Sequence, residues 1–371
     1  MLRITQQRNA TSAKGCYAPA GYYREGRGII GCWGGQGASP LGLEGIVDQL
    51  RFERLCDNEN PRTGNRVTAR MRCQRTVGYN FKFSPCKSVS LLYGLNQDQA
   101  LLHAFRSAVD ETMREIEREM RTRVRKSRQN NERVTGNMVW AQFIHTIACP
   151  VKGICDPQLH AYVLVFNMTW DEQEKRWKAG KFRELKRDAP YFQAAFRVRL
   201  ANKLQELGFG IERRGDDFEI AGIPAEVLKR FSRRTAVVER VARERGITNP
   251  KWKGELGPKT RESRGKPCSL GAQRKEWNRR LTREERAILA SVYRREIAFA
   301  QRRNEEAWAV DQVIRHCLAP GAVVPERRLV TEALIRGLGA VTVEGVTQEL
   351  AEHPLIRSEV GGCTMVRLGS D

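Results

Sequence analysis

The chain alternates between two hydrophobic periods, and each marks a different kind of element. Period two, in which every second side chain faces one side, runs through LRITQ (2–6), NMVWAQFIHTIA (137–148), QLHAYVLVFNMTW (158–170) and the pair GIERRGDDFEIAGI (210–223) with its Gly-Asp turn. These predict strands. The basic stretch RTGNRVTARMRCQRTVGYNFKF (62–83), alternating around Thr63-Gly64-Asn65, predicts a β-ribbon. Period 3.6 runs from Gln97 to Lys126, where Leu101, Leu102, Phe105, Val109, Met113, Ile116 and Met120 form a stripe that Asn96 can cap. A second helix is predicted at 191–208 and a helical, highly charged region at 224–304, interrupted by the Gly/Pro/Lys-rich segment 251–269, which reads as mobile.

The last seventy residues change character. A helix at 325–339 with Pro325 at its first position, a second helix at 343–353 and a hairpin at 355–368 on a Gly-Gly turn follow the order of a winged helix. Two units are therefore expected, 1–300 and a winged-helix-like 305–371, the latter a docking module for DNA or protein.

Charge sharpens this division. Of a net +22, the first 300 residues hold 57 Lys+Arg against 33 Asp+Glu, and residues 301–371 hold 8 against 10. A field of that size favours a polyanion, and nucleic acid is the expected partner. The arginines of the predicted ribbon, Arg66, Arg70, Arg72 and Arg75, suit phosphate and groove contacts. The amino terminus has no apolar signal core and no 18-residue apolar run occurs, so a cytoplasmic protein without membrane insertion is expected. Ten cysteines without CxxC spacing exclude a zinc ribbon and a disulfide scaffold, which leaves reduced thiols. Cys149 and Cys155 flank the loop between two predicted strands and are the one soft-ligand candidate. His103, His316 and His353 read as structural.

Candidate chemistry concentrates in two places. His145 and His160 lie on neighbouring predicted strands and can aim two imidazoles at one point, as metal ligands or as a packed pair; Tyr162 shares the face of His160. CYAPAGYYREG (16–26) holds three tyrosines in seven residues, Tyr17, Tyr22 and Tyr23, for nucleophilic attack or for aromatic packing and base stacking. "SRGKPC" carries Pro267 where a phosphate-binding loop needs a hydroxyl, so these residues offer no such loop to drive a helicase, and unwinding is expected from another protein or from a C-terminal region outside this sequence.

The order of these motifs, YxxxxYY, WGGQGASPLGLEG (33–45), FSPCKSVSLL (83–92) and FIH…DPQLHAYVLVFN (143–167), resembles the relaxase domain of MobF-class conjugative relaxases, which are HUH-type nucleases. The resemblance implies an α+β fold, an antiparallel sheet flanked by helices, over residues 1–300. It implies nicking and rejoining of one DNA strand at a transfer origin through a 5′-phosphotyrosyl link, with a divalent ion, Mg²⁺ or Mn²⁺. Single-stranded and hairpin origin DNA, a separate helicase and a bacterial conjugation coupling protein are the implied partners.

Carried over by motif, His145 and His160 are two members of a metal-binding triad whose third position falls on Tyr162, so DPQLHAY replaces the expected DPQLHTH. Asn80 stands where the family has an aspartate, and an amide takes no proton. Tyr17 is expected as first nucleophile, Tyr22 as the strand-joining one and Tyr23 as reserve. Lys87 joins the arginines as a DNA-binding residue. These departures leave a second reading, a weakened homologue that binds origin DNA without cutting it.

Overall fold

The computed structural model describes residues 1–17, 28–69, 75–126, 129–260, 262, 269–292, 305–318 and 321–369. At its centre is a five-stranded, wholly antiparallel sheet of β1 (Leu2–Gln7), β2 (Gly28–Gly34), β3 (Gly78–Phe83), β6 (Trp140–Ile147) and β7 (Pro157–Phe166), in the order β1-β3-β7-β6-β2. The outlying strands β4 (Arg121–Lys126) and β5 (Gln129–Val134) form a separate hairpin.

Alternation along the strands gives the sheet two different faces. On one face Phe81, Phe83, Leu159, Ala161, Val163 and Val165 are fully buried, in a single core with two long helices, α4 (Gln99–Arg118) and α5 (Ala189–Glu206). Phe196 of α5 meets Phe83 and Phe105 edge-on, at centroid distances of 5.2 and 6.1 Å. The other face is covered at one end only. There Ala141, Phe143, Leu164 and Phe166 pack under α1 (Ala10–Tyr17), α2 (Gln49–Cys56) and the glycine-rich segment after β2. Gly31 lies so near the Phe143 ring that a Cβ would sit 2.5 Å from it, so only glycine lets β2 pair there. The other end of this face carries the polar residues His145, His160, Tyr162, Asn80 and Lys82, of which His160 is buried and the rest half-buried.

Four sequence expectations change. The N-terminal third holds helices α1 and α2 as well as strands. The predicted helix over Gln97 to Lys126 divides: Asn96 ends α3 (Lys87–Asn96), Gln97 turns left-handed at φ 55, and Asp98 rather than Asn96 caps α4, accepting from Ala100 N at 2.8 Å. The apolar stripe runs out at Met120, after which Thr122 is buried while Arg123 and Arg125 are exposed. That is period two, and the segment pairs as β4. The basic ribbon is consequently at 121–134. In the stretch first expected to form it, Glu59 and Arg66 close a turn, Arg70 and Arg72 lie outside the described residues, and 78–83 enter the central sheet as β3. A helix, α6 (Pro250–Lys259), also replaces the first half of the expected interruption at 251–269.

The C-terminal segment contains α8 (Glu305–Cys317), α9 (Glu326–Arg336), α10 (Val343–Glu352) and a β-hairpin, Leu355–Val360 with Cys363–Leu368, on a turn with positive φ at Gly361 and Gly362. Its Leu329, Leu334 and Val346 belong to the same core cluster as α4 and α5. Asn202 and Gln205 of α5 donate to Val341 O and Gly339 O at 3.1 and 2.9 Å. α10 carries Glu344, Glu349 and Glu352 and no basic residue, a charge that opposes a phosphate backbone.

The start of β7 is the most heavily tied point of the sheet. Buried Asp156 accepts from Arg233 N and Nε at 3.0 Å, Arg233 Nη2 at 2.8 Å and Arg280 Nη1 at 2.8 Å. Trp277, on α7 (Leu270–Arg279), donates to Cys155 O, and Leu159 N donates to Ser90 Oγ. Removing one partner from such a network leaves buried charge uncompensated. We expect Asp156→Ala to lower the unfolding free energy by about 3 kcal/mol, measured as a shift in denaturant midpoint at constant slope; a loss below about 1 kcal/mol would contradict this anchoring role.

Candidate metal and nucleophile site

Strand pairing assembles the site. His145 on β6 is the direct cross-strand partner of His160 on β7, and Phe143 is the partner of Tyr162. Residues paired this way share a face, so the three rings converge. The centroids of His145, His160 and Tyr162 form a near-equilateral triangle, 4.9, 4.9 and 5.0 Å on a side. A one-residue register shift follows immediately, between His145 and Ile147, and such bulges re-aim neighbouring side chains.

His160 is 5% exposed, and its Nδ1 lies 2.9 Å from Gln158 O. A proton on Nδ1 satisfies that carbonyl and places the ring lone pair on Nε2, the arrangement metal-binding histidines use. Asn80 lies on the same face, opposite Leu164 on β7 and Thr5 on β1. Its Oδ1 is buried and has no hydrogen-bond partner among the described residues. Lys82, two residues on, pairs with Tyr162, and its ammonium sits 5.2 Å from the centre of the phenol ring.

These donors suit some cations better than others. Mg²⁺ demands oxygen ligands, whereas imidazoles suit borderline transition ions. No group of three or more His, Cys, Asp or Glu that could hold a metal occurs among the described residues, and that includes Cys149 and Cys155. His145 and His160 fit a divalent ion as two nitrogen ligands, with the phenol of Tyr162 at the third corner.

The nucleophile candidates lie along one tether. Tyr17 is the last residue of α1, which is fixed by Ala13 in the apolar cover and by the ion pair of Lys14 with Asp57. Tyr22 and Tyr23 lie outside the described residues. The chain re-enters at Gly28, whose cross-strand partner is His145. Tyr23 is five residues from that point, a span of at most about 18 Å.

Of the expected DNA contacts, Arg66 is exposed. Arg75 is partly committed elsewhere: its Nη2 donates to Cys56 O and to Leu55 O, at the end of α2. Lys87, also expected to bind DNA, is half-buried and engaged within the fold. Its Nζ donates to Pro157 O at 2.7 Å, and desolvation pulls its pKa down to about 8. Lys87 thus helps hold β7. The sequence reading missed Lys82, Asp156 and the arginines of β4. The alternation of 121–126 was the signal for the last of these, while Asp156 and Lys82 take their meaning from cross-strand neighbours.

Comparison with known proteins agrees with this geometry. Residues 4–284 match the family described as TrwC relaxase. The multifunctional conjugation protein TraI of Escherichia coli is 31% identical over 259 residues, 67% of this chain and 14% of that protein, so the chain spans about one seventh of the curated relative's length. Among solved structures, the conjugative relaxase TrwC in its metal-bound complex with oriT DNA superposes with a TM-score of 0.67 at 27% identity, over 79% of this chain and 98% of that one. TrwC with a 27-mer comprising the recognition hairpin and the cleavage site gives 0.66 at 26%, over 79% and 98%. With a paired-strand histidine site on an antiparallel sheet and a family match over three quarters of its length, the chain belongs to the TrwC relaxase family.

Proposed function

We propose that this chain is a DNA relaxase that cuts and rejoins one strand at a transfer origin. The observation that carries the reading is the ring triangle of His145, His160 and Tyr162, set where the tyrosine-bearing segment rejoins the sheet. A tyrosine oxygen, from Tyr17 first and Tyr22 or Tyr23 second, attacks the phosphorus, forms a 5′-phosphotyrosyl ester and releases a 3′-hydroxyl. One phosphodiester replaces another, so the reverse attack by a 3′-hydroxyl rejoins the strand. A divalent ion held by His145 and His160, with Tyr162 at the third position, would neutralise charge on the phosphoryl oxygens. Asn80 can accept a hydrogen bond from a phenol but cannot remove its proton, which slows the attack relative to a carboxylate at that place.

Strand recognition falls to the basic hairpin β4–β5. Arg123 and Arg125 are exposed on it, in a segment where Arg121, Arg123 and Arg125 recur at every second position. That spacing suits a ribbon laid along phosphates or into a groove. The second reading, strand binding without cleavage, is favoured by Asn80 and Tyr162 standing where the family pattern has an acid and a histidine.

Labelled single strands tiling the genetic element that encodes the protein, incubated with Mg²⁺, Mn²⁺ or EDTA, should yield one strand whose label moves onto protein in a denaturing gel. The peptide carrying it should contain Tyr17, Tyr22 or Tyr23. Tight binding of one strand with no adduct under any condition would select the second reading.

His160→Ala should remove the adduct and leave strand affinity within about threefold, while Tyr162→His should raise the yield of adduct or widen the range of metals accepted. Loss of all DNA affinity in His160→Ala would break this division of labour. For the ribbon, Arg123→Ala and Arg125→Ala should each reduce the slope of log affinity against log salt by about 1; an unchanged slope in both would place the ribbon outside the interface.

A further inference from the structure

Lys82 is placed unlike several other partly covered lysines among the described residues. Lys14, Lys178 and Lys181 each hold a carboxylate, on Asp57, Glu174 and Glu132. The ammonium of Lys82 makes no ion pair or hydrogen bond with any described residue, while its backbone pairs in the sheet. It sits over the ring of Tyr162, 5.2 Å from the centroid. The register explains why it is there: Lys82 lies opposite Tyr162 on one side and Arg3 on the other, two residues from Asn80 and on the same face.

The composition of that face gives the lysine its meaning. Across four adjacent strands the aligned positions are Arg3 and Thr5, Asn80 and Lys82, His160 and Tyr162, and His145. None is a carboxylate. A divalent ion is normally held by acidic ligands or by acidic groups behind its ligands, and here the neighbouring fixed charge is positive. A phosphodiester has the opposite requirement, because an ammonium beside hydrogen-bonding imidazoles neutralises its charge directly. A cation carried by the chain itself also keeps its place when no metal is bound.

We propose that Lys82 is a phosphate-binding residue of this site, a resident cation that faces the scissile phosphate and opposes a divalent ion at His145 and His160. The proposal rests on the relaxase reading for the identity of the phosphate. Two consequences separate it from a solvent-facing lysine that merely covers a tyrosine. Metal must bind more weakly than the donors alone would allow, and strand binding at the site must persist in EDTA and depend on Lys82.

The test uses the full chain. Mn²⁺ is titrated calorimetrically, without DNA, into wild type, Lys82→Met and Lys82→Arg. Removing the charge should tighten Mn²⁺ binding by about tenfold or more, and Lys82→Arg should bind as weakly as wild type. The strand retained in the tiling assay is then measured in EDTA. Lys82→Met should weaken its binding about fivefold or more, and a neutral methylphosphonate at the cut position should weaken wild type but add little to Lys82→Met. If Lys82→Met does not fold, Lys82→Thr serves in its place, with thermal melting as the check. Equal Mn²⁺ affinity in the charged and neutral variants, or no Mn²⁺ binding in any of them, would overturn the proposal. So would methylphosphonate and Lys82→Met effects that simply add. Should no strand bind or form an adduct, the relaxase reading fails by itself, and the Mn²⁺ arm still decides whether Lys82 opposes a cation.

Discussion

His145 faces His160 because β6 and β7 pair in one register, and everything at the site depends on that register. A slip of β7 by one residue would carry His160 and Tyr162 through the sheet into the apolar core and leave His145 alone on its face, since side chains alternate with a period of two. Two sets of interactions prevent the slip. The inner face of β7 fills a closely packed core against α4 and α5, and its first residues are pinned by Asp156, Lys87, Ser90 and the Trp277 contact at Cys155. The geometry of the ring triangle is therefore held from the opposite side of the sheet and from one strand end.

The electrostatics of the site follow from the same alignment. Placing two histidines and an asparagine on a face whose described strand positions include no acid gives a surface disposed to receive negative charge, and the basic hairpin extends that disposition along the chain. Desolvation is tolerable because the burial is uneven: His160 is deep, while His145, Tyr162 and Lys82 keep partial contact with solvent. A phosphodiester can thus approach without the protein holding several bare cations in its interior.

Much of this was legible in the residues. DPQLHAYVLVF and WAQFIHTI are runs of strand-forming residues, so the strands and the shared face of His160 and Tyr162 could be read directly, while the pairing of His145 with His160 comes from the structure. The ribbon was misplaced because 62–83 and 121–134 are both basic and alternating, and in the latter the alternation abuts a helix of good period. Thr122 and Val124 decide for strand, but Met120 extends the helical stripe up to their edge. Charge pattern alone does not reveal that Lys87 satisfies a backbone carbonyl inside. Asp156 and Lys82 were invisible as functional residues since their partners lie far away in sequence: Arg233 and Arg280 for one, and for the other a tyrosine on the next strand.

The C-terminal helices share one core with α5, and this has a consequence for how the chain can be divided. Leu329, Leu334 and Val346 share the apolar core of α4 and α5, while Asn202 and Gln205 satisfy carbonyls of the turn between α9 and α10. A chain cut near residue 300 would keep every residue of the ring triangle and still present an oily strip along the back of its longest supporting helices. The segment covers the scaffold's hydrophobic side, so the shortest piece of this chain with a closed core runs through the hairpin to Leu368, well beyond the last strand of the sheet that holds the site.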